Sequence, residues 1–465
     1  MSQEPQTITA NETEVDESLF HLTDDNIKNI VDAVECQDSD TVTTALEELS
    51  DADTAELISK IDTENREELL NMYGETLSPT CFLEMDTELQ RITLSSMPAH
   101  QVAAIITELE SDDALELIMS LDQEYQNKII RKLNARLRVV VEEGLSYPED
   151  SAGRLMQREV VSVPELWSTG KTIDYLRAAS GDLPDDFSDI FIIDPAYHVI
   201  GQIPLNRLVR AKRNTKINEI MLTELTSVPA TMDQEDVAHL FRREDILSAP
   251  VVDEEGRLIG VVTIDDVVDV IDTEAQEDIL KMAGVDQGDF YRATLATTGT
   301  RFRWLFINLI TAILASFVIS FFDVAIEKIV ALAILMPIVA SMGGNAGTQA
   351  LTVAVRALAT RELSTTNTWR MIWKETIVGS LNGLAFAAIT GIITALWFAA
   401  PMLGGVIAAA MIINLFAAGF FGATIPIYLD KIGKDPAVAS TVFLTTITDV
   451  IGFFAFLGLA AIFLI

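Results

Sequence analysis

Five long apolar stretches crowd the last third of the chain, and they constrain its fold more than any other feature. They lie at about 302–322, 329–358, 376–399, 403–429 and 436–464 of the 465 residues. A helix needs roughly 20 apolar residues to cross the hydrocarbon of a bilayer, and each stretch is long enough. Residues 301–465 carry nine bases (Arg301, Arg303, Lys328, Arg356, Arg361, Arg370, Lys374, Lys431, Lys434) against seven acids, a balance near +2. The whole chain stands at −37, with 69 acids and 32 bases, so residues 1–300 carry about −39. One molecule thus joins a nearly neutral apolar third to a very acidic polar remainder.

The bases also give a direction. They precede the first stretch and flank the second and fourth connections. The first connection holds only Lys328 and the third, around Pro401–Gly405, none. Basic loops stay on the cytoplasmic side, and five spans put the termini on opposite sides. The N-terminal part is expected in the cytoplasm and the C-terminus outside. An acidic field of this size repels nucleic acid and anionic lipid and attracts cations. Acidity can also serve solubility or a salty habitat alone. Cys36 and Cys81 form no CxxC pair, and His21, His100, His198 and His239 are scattered without zinc-site spacing. No cleavable signal peptide is expected from the first residues. No nucleophile–base motif or glycine-rich phosphate loop follows a strand, so an enzyme is not expected.

Two internal repeats organise the acidic part. Residues 1–18 read as a disordered tail. From 19 to 150 the apolar residues recur at helical spacing, and Glu56-Leu57-Ile58 with Ile61-Asp62 returns as Glu116-Leu117-Ile118 with Leu121-Asp122, offset by 60. This predicts stacked helical hairpins in a small superhelical module. From 151 to 272 a sharper repeat appears. Leu155-Met156, Glu159 and Ser162-Val163-Pro164 return as Ile220-Met221, Glu224 and Ser227-Val228-Pro229, and Ile192-Ile193-Asp194 returns as Val251-Val252-Asp253. Each copy reads strand, helix, strand, turn, strand, helix, and the pair resembles tandem CBS domains. Residues 273–300 read as a connecting helix broken near Gly284 or Gly288, leading to a five-helix membrane domain over 301–465. The fold class is therefore multidomain: an α-helical superhelical N-domain, α/β tandem CBS domains and an all-α transmembrane domain.

Polar groups inside the spans are costly and so informative. Asp449 lies mid-segment in Thr445-Thr446-Ile447-Thr448-Asp449, with no base in the same segment. A carboxylate there faces a cavity, a partner or a cation, or packs in its protonated form. In the second span, Pro337 and Gly343-Gly344-Asn345-Ala346-Gly347 can open the helix so that carbonyls face a watery path. The same Gly343-x-x-x-Gly347 spacing also suits close helix packing. Asn308, Asn382 and Asn414 are expected as interhelical hydrogen-bond partners.

These segments together resemble the MgtE family of magnesium channels. The likeness rests on Pro337 with Gly343-Gly344-Asn345-Ala346-Gly347-Thr348-Gln349, on Asp435-Pro436-Ala437 with Thr445–Asp449, on Ser151–Met156 and on Glu274–Asp278. It implies a homodimer embedded in membrane lipid with one central pore, in the plasma or inner membrane. It implies a pore site at Asp449, with Thr445, Thr448, Gly343, Gly344, Asn345, Gly347 and Asp435 around the path. It implies cytoplasmic Mg²⁺ held by Asp233, Asp266, Glu277 and Asp278, with Asp269 and Glu274 beside them, so that the connecting helix plugs the pore. Asp112 and Asp113 join this set from their place at an expected helix start. Mg²⁺ is the implied cargo, with Co²⁺ and Mn²⁺ as further candidates and ATP as a family ligand of the CBS pair. The chemistry agrees, since Mg²⁺ prefers hard oxygen ligands and keeps most of its water, and the spans offer neither Cys nor His. A carrier exchanging Mg²⁺ for Na⁺ or H⁺ is the alternative. A membrane-anchored signalling protein is a more distant one.

Overall fold

The computed structural model describes residues 22–465 apart from 75, 180, 182, 185, 286 and 287, and the backbone alone at 438–440. The expected tail at 1–18 and His21 lie outside the described residues. The chain divides into two compact units, one ending at Ile271 and the other running Asp272–Ile465.

The first unit begins with short helices: α1 (Asp24–Glu35), α2 (Ser39–Glu48), α3 (Asp51–Lys60), α4 (Thr63–Tyr73), α5 (Thr87–Ser96), α6 (Ala99–Glu108), α7 (Ser111–Ser120), α8 (Gln123–Ile130), α9 (Ala135–Gly144) and α10 (Ala152–Leu155). The 60-residue repeat is real in space, for α3 returns as α7 and the start of α4 as α8. Short helices leave many terminal carbonyls without a partner. One device recurs to satisfy them. A side chain eight residues onward reaches back to a carbonyl: Arg66 to Ile58, Gln90 to Phe82, Gln126 to Ile118 and Arg138 to Ile130, each at 3.0 Å. Leu57, Ile58, Leu117 and Ile118 occupy matching, fully buried positions.

Two three-stranded sheets follow. In the first, β1 (Ser162–Pro164) runs parallel to β2 (Asp189–Ile193), which is antiparallel to β3 (Val199–Pro204). The second repeats this with β4 (Val228–Pro229), β5 (Ser248–Val252) and β6 (Leu258–Thr263). Each register slips once, between Ile192 and Ile193 and between Val251 and Val252. The helices of this region are α11 (Thr169–Ala178), α12 (Leu205–Arg210), α13 (Ile217–Ile220) and α14 (Gln234–Glu244). One feature departs from the reading of each copy as self-contained. Leu155 and Met156, from the lead-in of the first copy, pack in the core of the second, while Ile217, Ile220 and Met221 pack in the core of the first. The lead-in segments are exchanged, and Gln157 bridges Val261 while Leu222 bridges Gln202.

The second unit takes up the end of α15 (Ile264–Ala283), which turns off at Gly284 and Gly288, both in the left-handed backbone region (φ +68° and +72°). Then come α16 (Thr294–Ser320), the short α17 (Asp323–Lys328), α18 (Ala331–Ala359), α19 (Thr368–Trp397), α20 (Pro401–Lys431) and α21 (Pro436–Phe463). Among the described residues five helices are long and apolar enough to cross a membrane: α16, α18, α19, α20 and Thr441–Phe463 of α21. The first begins eight residues before the expected 302 because Thr294–Arg301 continues the same helix. The most buried of the five is α20. Small residues let its backbone approach its neighbours. A Cβ on Gly419 would stand 2.6 Å from the Glu375 carbonyl oxygen of α19, and one on Gly422 the same distance from the Gly347 oxygen of α18. Large apolar side chains such as Leu305, Ile313, Leu381, Ile392 and Trp397 are exposed on the spans, as lipid-facing positions should be.

These contacts make an uneven prediction for two glycines on one helix. Gly419→Val should lower the thermal midpoint of the purified full-length protein in detergent, by the equivalent of about 1–3 kcal/mol, since a backbone carbonyl cannot move aside. Gly405→Ala, where nothing lies within 4 Å of the new methyl, should leave the midpoint unchanged or slightly higher. Equal losses from both would show that the α19–α20 approach does not depend on Gly419.

Candidate ion path and acidic sensor surface

Asp449 sits half-buried near the middle of α21, and Thr445, one turn before it on the same side, is exposed. Thr448 is fully buried and donates to the carbonyls of Leu444 and Thr445, so it serves packing within α21. On α18 the expected opening of the backbone does not occur. The helix continues from Ala331 to Ala359 through Pro337 and all the glycines. Close packing accounts for Gly343 and Gly347 instead: a Cβ on Gly343 would collide with the Asn414 amide, and one on Gly347 would meet the Leu444 side chain at 3.0 Å. Gly344 has nothing within 4 Å of its missing Cβ, and Asn345, Thr348 and Thr352 are exposed beside it. α18 and α21 therefore each present polar groups left uncovered by the described residues.

Asn414 of α20 is fully buried and donates to the Val339 carbonyl of α18 at 2.8 Å. Gly452 of α21 clears its other side. The expected interhelical bond is present here. Asn308 instead donates to Trp304 of its own helix at 3.2 Å, and Asn382 is exposed.

The sensor candidates fall into separate groups. Within the first unit, the first turn of α7 faces the first turns of α15. Asp112 and Asp113 come against Asp265, Asp266 and Asp269. Glu116, a turn further along α7, extends the acidic face, and burial, then Asp113 and Asp269, raise its carboxyl to about 7. Burial and the nearby Asp266 push the Asp112 carboxyl well above its ordinary range. Burial, then Asp265 and Asp269, raise Asp113 to about 6. Burial raises Asp266 to about 7 although it accepts a 2.6 Å bond from Thr263. Sequence reading missed Glu159, whose carboxylate accepts 2.6 Å and 3.3 Å bonds from the Ser111 hydroxyl and amide and so seats the start of α7. Its recurrence as Glu224 was the only signal, and that pointed to the CBS repeat. Asp233 stands apart from these acids: it is exposed and caps α14 by accepting from the Glu235 amide.

Glu274, Glu277 and Asp278 lie past the unit boundary, in the second half of α15. Glu277 and Asp435 both bind Lys281, at 2.5 Å and 3.0 Å. Asp435 also caps α21 through the Ala437 amide at 2.7 Å. Burial and Asp435 raise the Asp278 carboxyl. Burial works against the Lys281 charge, but the hydrogen bonds it donates to Glu277 and Asp435 outweigh it and hold the ammonium above its usual range. Among the described residues no three His, Cys, Asp or Glu side chains form a ready cage for a metal. The α7–α15 acids are a repelling surface of hard oxygens. That suits an ion which keeps its water shell and binds through it.

Three sequence models match the chain: a divalent cation transporter domain over 336–459, an MgtE intracellular N domain over 49–150 and a CBS domain over 217–273. The magnesium transporter MgtE of Thermus thermophilus is 35% identical over 76% of this chain and 78% of its own length. The chain belongs to the MgtE family. The MgtE of Bacillus subtilis is 28% identical over 90% of this chain and 93% of its own. Among solved structures, the cytosolic domain of the Mg²⁺ channel MgtE in complex with ATP is 31% identical and covers 52% of this chain and 99% of that one, with a TM-score of 0.49.

The raised carboxyls of this MgtE chain carry a pH dependence of known sign. Each is protonated more readily folded than unfolded, so its contribution is present below pH 4 and is lost as pH rises through about 6 to 7. With divalent ions chelated, the thermal midpoint of the first unit's transition in the full-length protein should fall between pH 5 and pH 8. Asp113→Asn should flatten that fall. A midpoint that rises over the same interval in EDTA would contradict the repelling α7–α15 surface.

Proposed function

We propose that this chain forms a Mg²⁺-selective channel, closed by cytoplasmic Mg²⁺ that gathers its acidic surfaces. The observation that carries the reading is the polar strip on the membrane helices: half-buried Asp449 with exposed Thr445 on α21, and Gly344 and Asn345 with exposed Thr348 and Thr352 on α18. Hydrocarbon cannot satisfy such groups. A second copy set against this strip would cover it and enclose a water-filled path with two Asp449 carboxylates. Paired carboxylates hold a hydrated divalent ion by charge while it keeps most of its water. Buried Thr448, Gly343 and Gly347 act in this reading by shaping the helices behind the path.

Closure follows from the acid surfaces. Without an ion, Asp112 and Asp113 repel Asp265, Asp266 and Asp269. Glu277 and Asp278 stand beside Asp435 with the Lys281 ammonium screening them in part. Ions bound among them favour the compact arrangement, and α15, which runs on toward the spans, carries the change. This is a population shift with the cargo as ligand. The shift toward closure can be no larger than the difference in ion affinity between the compact and spread states.

The test is Mg²⁺ entry into liposomes holding the purified protein, read with a trapped dye and without a Na⁺ or H⁺ gradient. Entry down the Mg²⁺ gradient alone is expected, and entry that needs a second ion's gradient would make the protein a coupled exchanger. Asp449→Asn and Asp449→Ala should abolish flux while the protein still inserts and assembles. Wild-type flux in both would remove Asp449 from the path. Neutralising Asp266, Glu277 and Asp278 together should leave a channel that internal Mg²⁺ no longer closes, measured as flux against luminal Mg²⁺. Unchanged inhibition would reject the sensor.

A further inference from the structure

The last turn of α15 is fastened to the membrane unit in three ways. The Lys281 ammonium lies between Glu277 of its own helix and Asp435 at the start of α21. The Thr441 hydroxyl of α21 donates to the Met282 carbonyl at 3.1 Å. The Met282 side chain packs against Leu351, Val355, Ala437 and Leu444. Asp278 stands close enough for its charge to be felt by both Asp435 and Lys281. Three carboxylates thus converge on one tethered cation, where a divalent ion would otherwise be drawn.

We propose that Lys281 is a built-in counter-ion that latches the end of α15 to the α21 cap, and that it competes with divalent cations for the carboxylates of Glu277, Asp278 and Asp435. Three consequences follow. The junction stays docked when no ion is present, because the ammonium already screens the acids. A divalent ion must displace or share with an amine that cannot diffuse away, so the effective affinity of this junction is set low. The pair Lys281–Asp435 therefore acts as a positioning element that sets the ion concentration at which the junction responds. Coupling of this kind between a side chain and an ion is commonly worth 5–150-fold in affinity. The proposal rests on the gating reading for its meaning, but the latch itself does not.

Hydrogen exchange of the 272–283 amides in the full-length protein tests it. Lys281→Met removes the charge and keeps the apolar stem, and Lys, Met and Arg have similar helix propensity. In EDTA, Lys281→Met should exchange these amides at least about ten-fold faster than wild type, with Lys281→Arg near wild type. On adding Mg²⁺, Lys281→Met should regain protection at about ten-fold lower concentration than wild type needs for its own final protection. Asp435→Asn keeps a good N-cap residue but removes the anion. It should lose protection in EDTA like Lys281→Met, yet require more Mg²⁺ rather than less. Equal exchange of wild type and Lys281→Met in EDTA would overturn the latch. A Mg²⁺ requirement that Lys281→Met leaves unchanged or raises would overturn the competition. Should Lys281→Met not fold, Lys281→Arg and Asp435→Asn decide the latch alone, and equal protection of both in EDTA would overturn it. If flux proves insensitive to internal Mg²⁺ while these exchange results hold, the gating reading fails and the latch stands.

Discussion

Hydrocarbon offers no hydrogen-bond partner, and most of the second unit answers to that constraint. Every long segment there is helical because a helix satisfies its own backbone. With lipid as apolar as leucine, the helices gain little by hiding leucine from it, so they associate through close contact. Gly419 against Glu375 and Gly422 against Gly347 provide that contact for α20. Asn414 is the one fully buried polar side chain that α20 carries into the bundle. Gly343 and Gly452 clear space for it from α18 and α21, so three helices meet around one amide. What remains polar and uncovered on α18 and α21 then stands out as surface meant for water, an ion or another copy.

The acidic unit solves a different problem. Its helices α1 to α9 are eight to twelve residues long, and such helices are marginal alone. They hold because their apolar faces stack and because Arg66, Gln90, Gln126 and Arg138 each close a carbonyl at the end of the preceding helix. Against this regular scaffold the α7–α15 acids are an exception. A fold that minimised its free energy without ions would not press Asp113 toward Asp265 and Asp269. Such local conflict is where function is expected, and here it is burial of carboxylates first and their mutual repulsion second.

Much of this was legible in the chain. The 60-residue helical repeat, the tandem sheets, the break at Gly284 and the five spans all follow from periodicity, repeat offset and length, which are local properties. Asp449 could be singled out because a carboxylate in an apolar run is costly wherever it points. Glycine was ambiguous. Gly343 and Gly347 fit both an opened backbone and a close helix contact, and only the neighbouring Asn414 and Leu444 decide for contact. Asp233 looked like its acidic neighbours in sequence, yet its carboxylate caps α14.

What the sequence determined by itself is the kind of each element and the membrane character of the last third. Hydrophobic periodicity and run length act over a few residues and need no partner. The tertiary structure alone decided which acids meet, that Glu159 seats α7, that the lead-in segments are exchanged between the two sheets, and that Lys281 reaches Asp435 across 154 residues of chain. Those facts depend on long-range packing, where the same side chain can be capping, paired or repelled according to what the fold brings beside it.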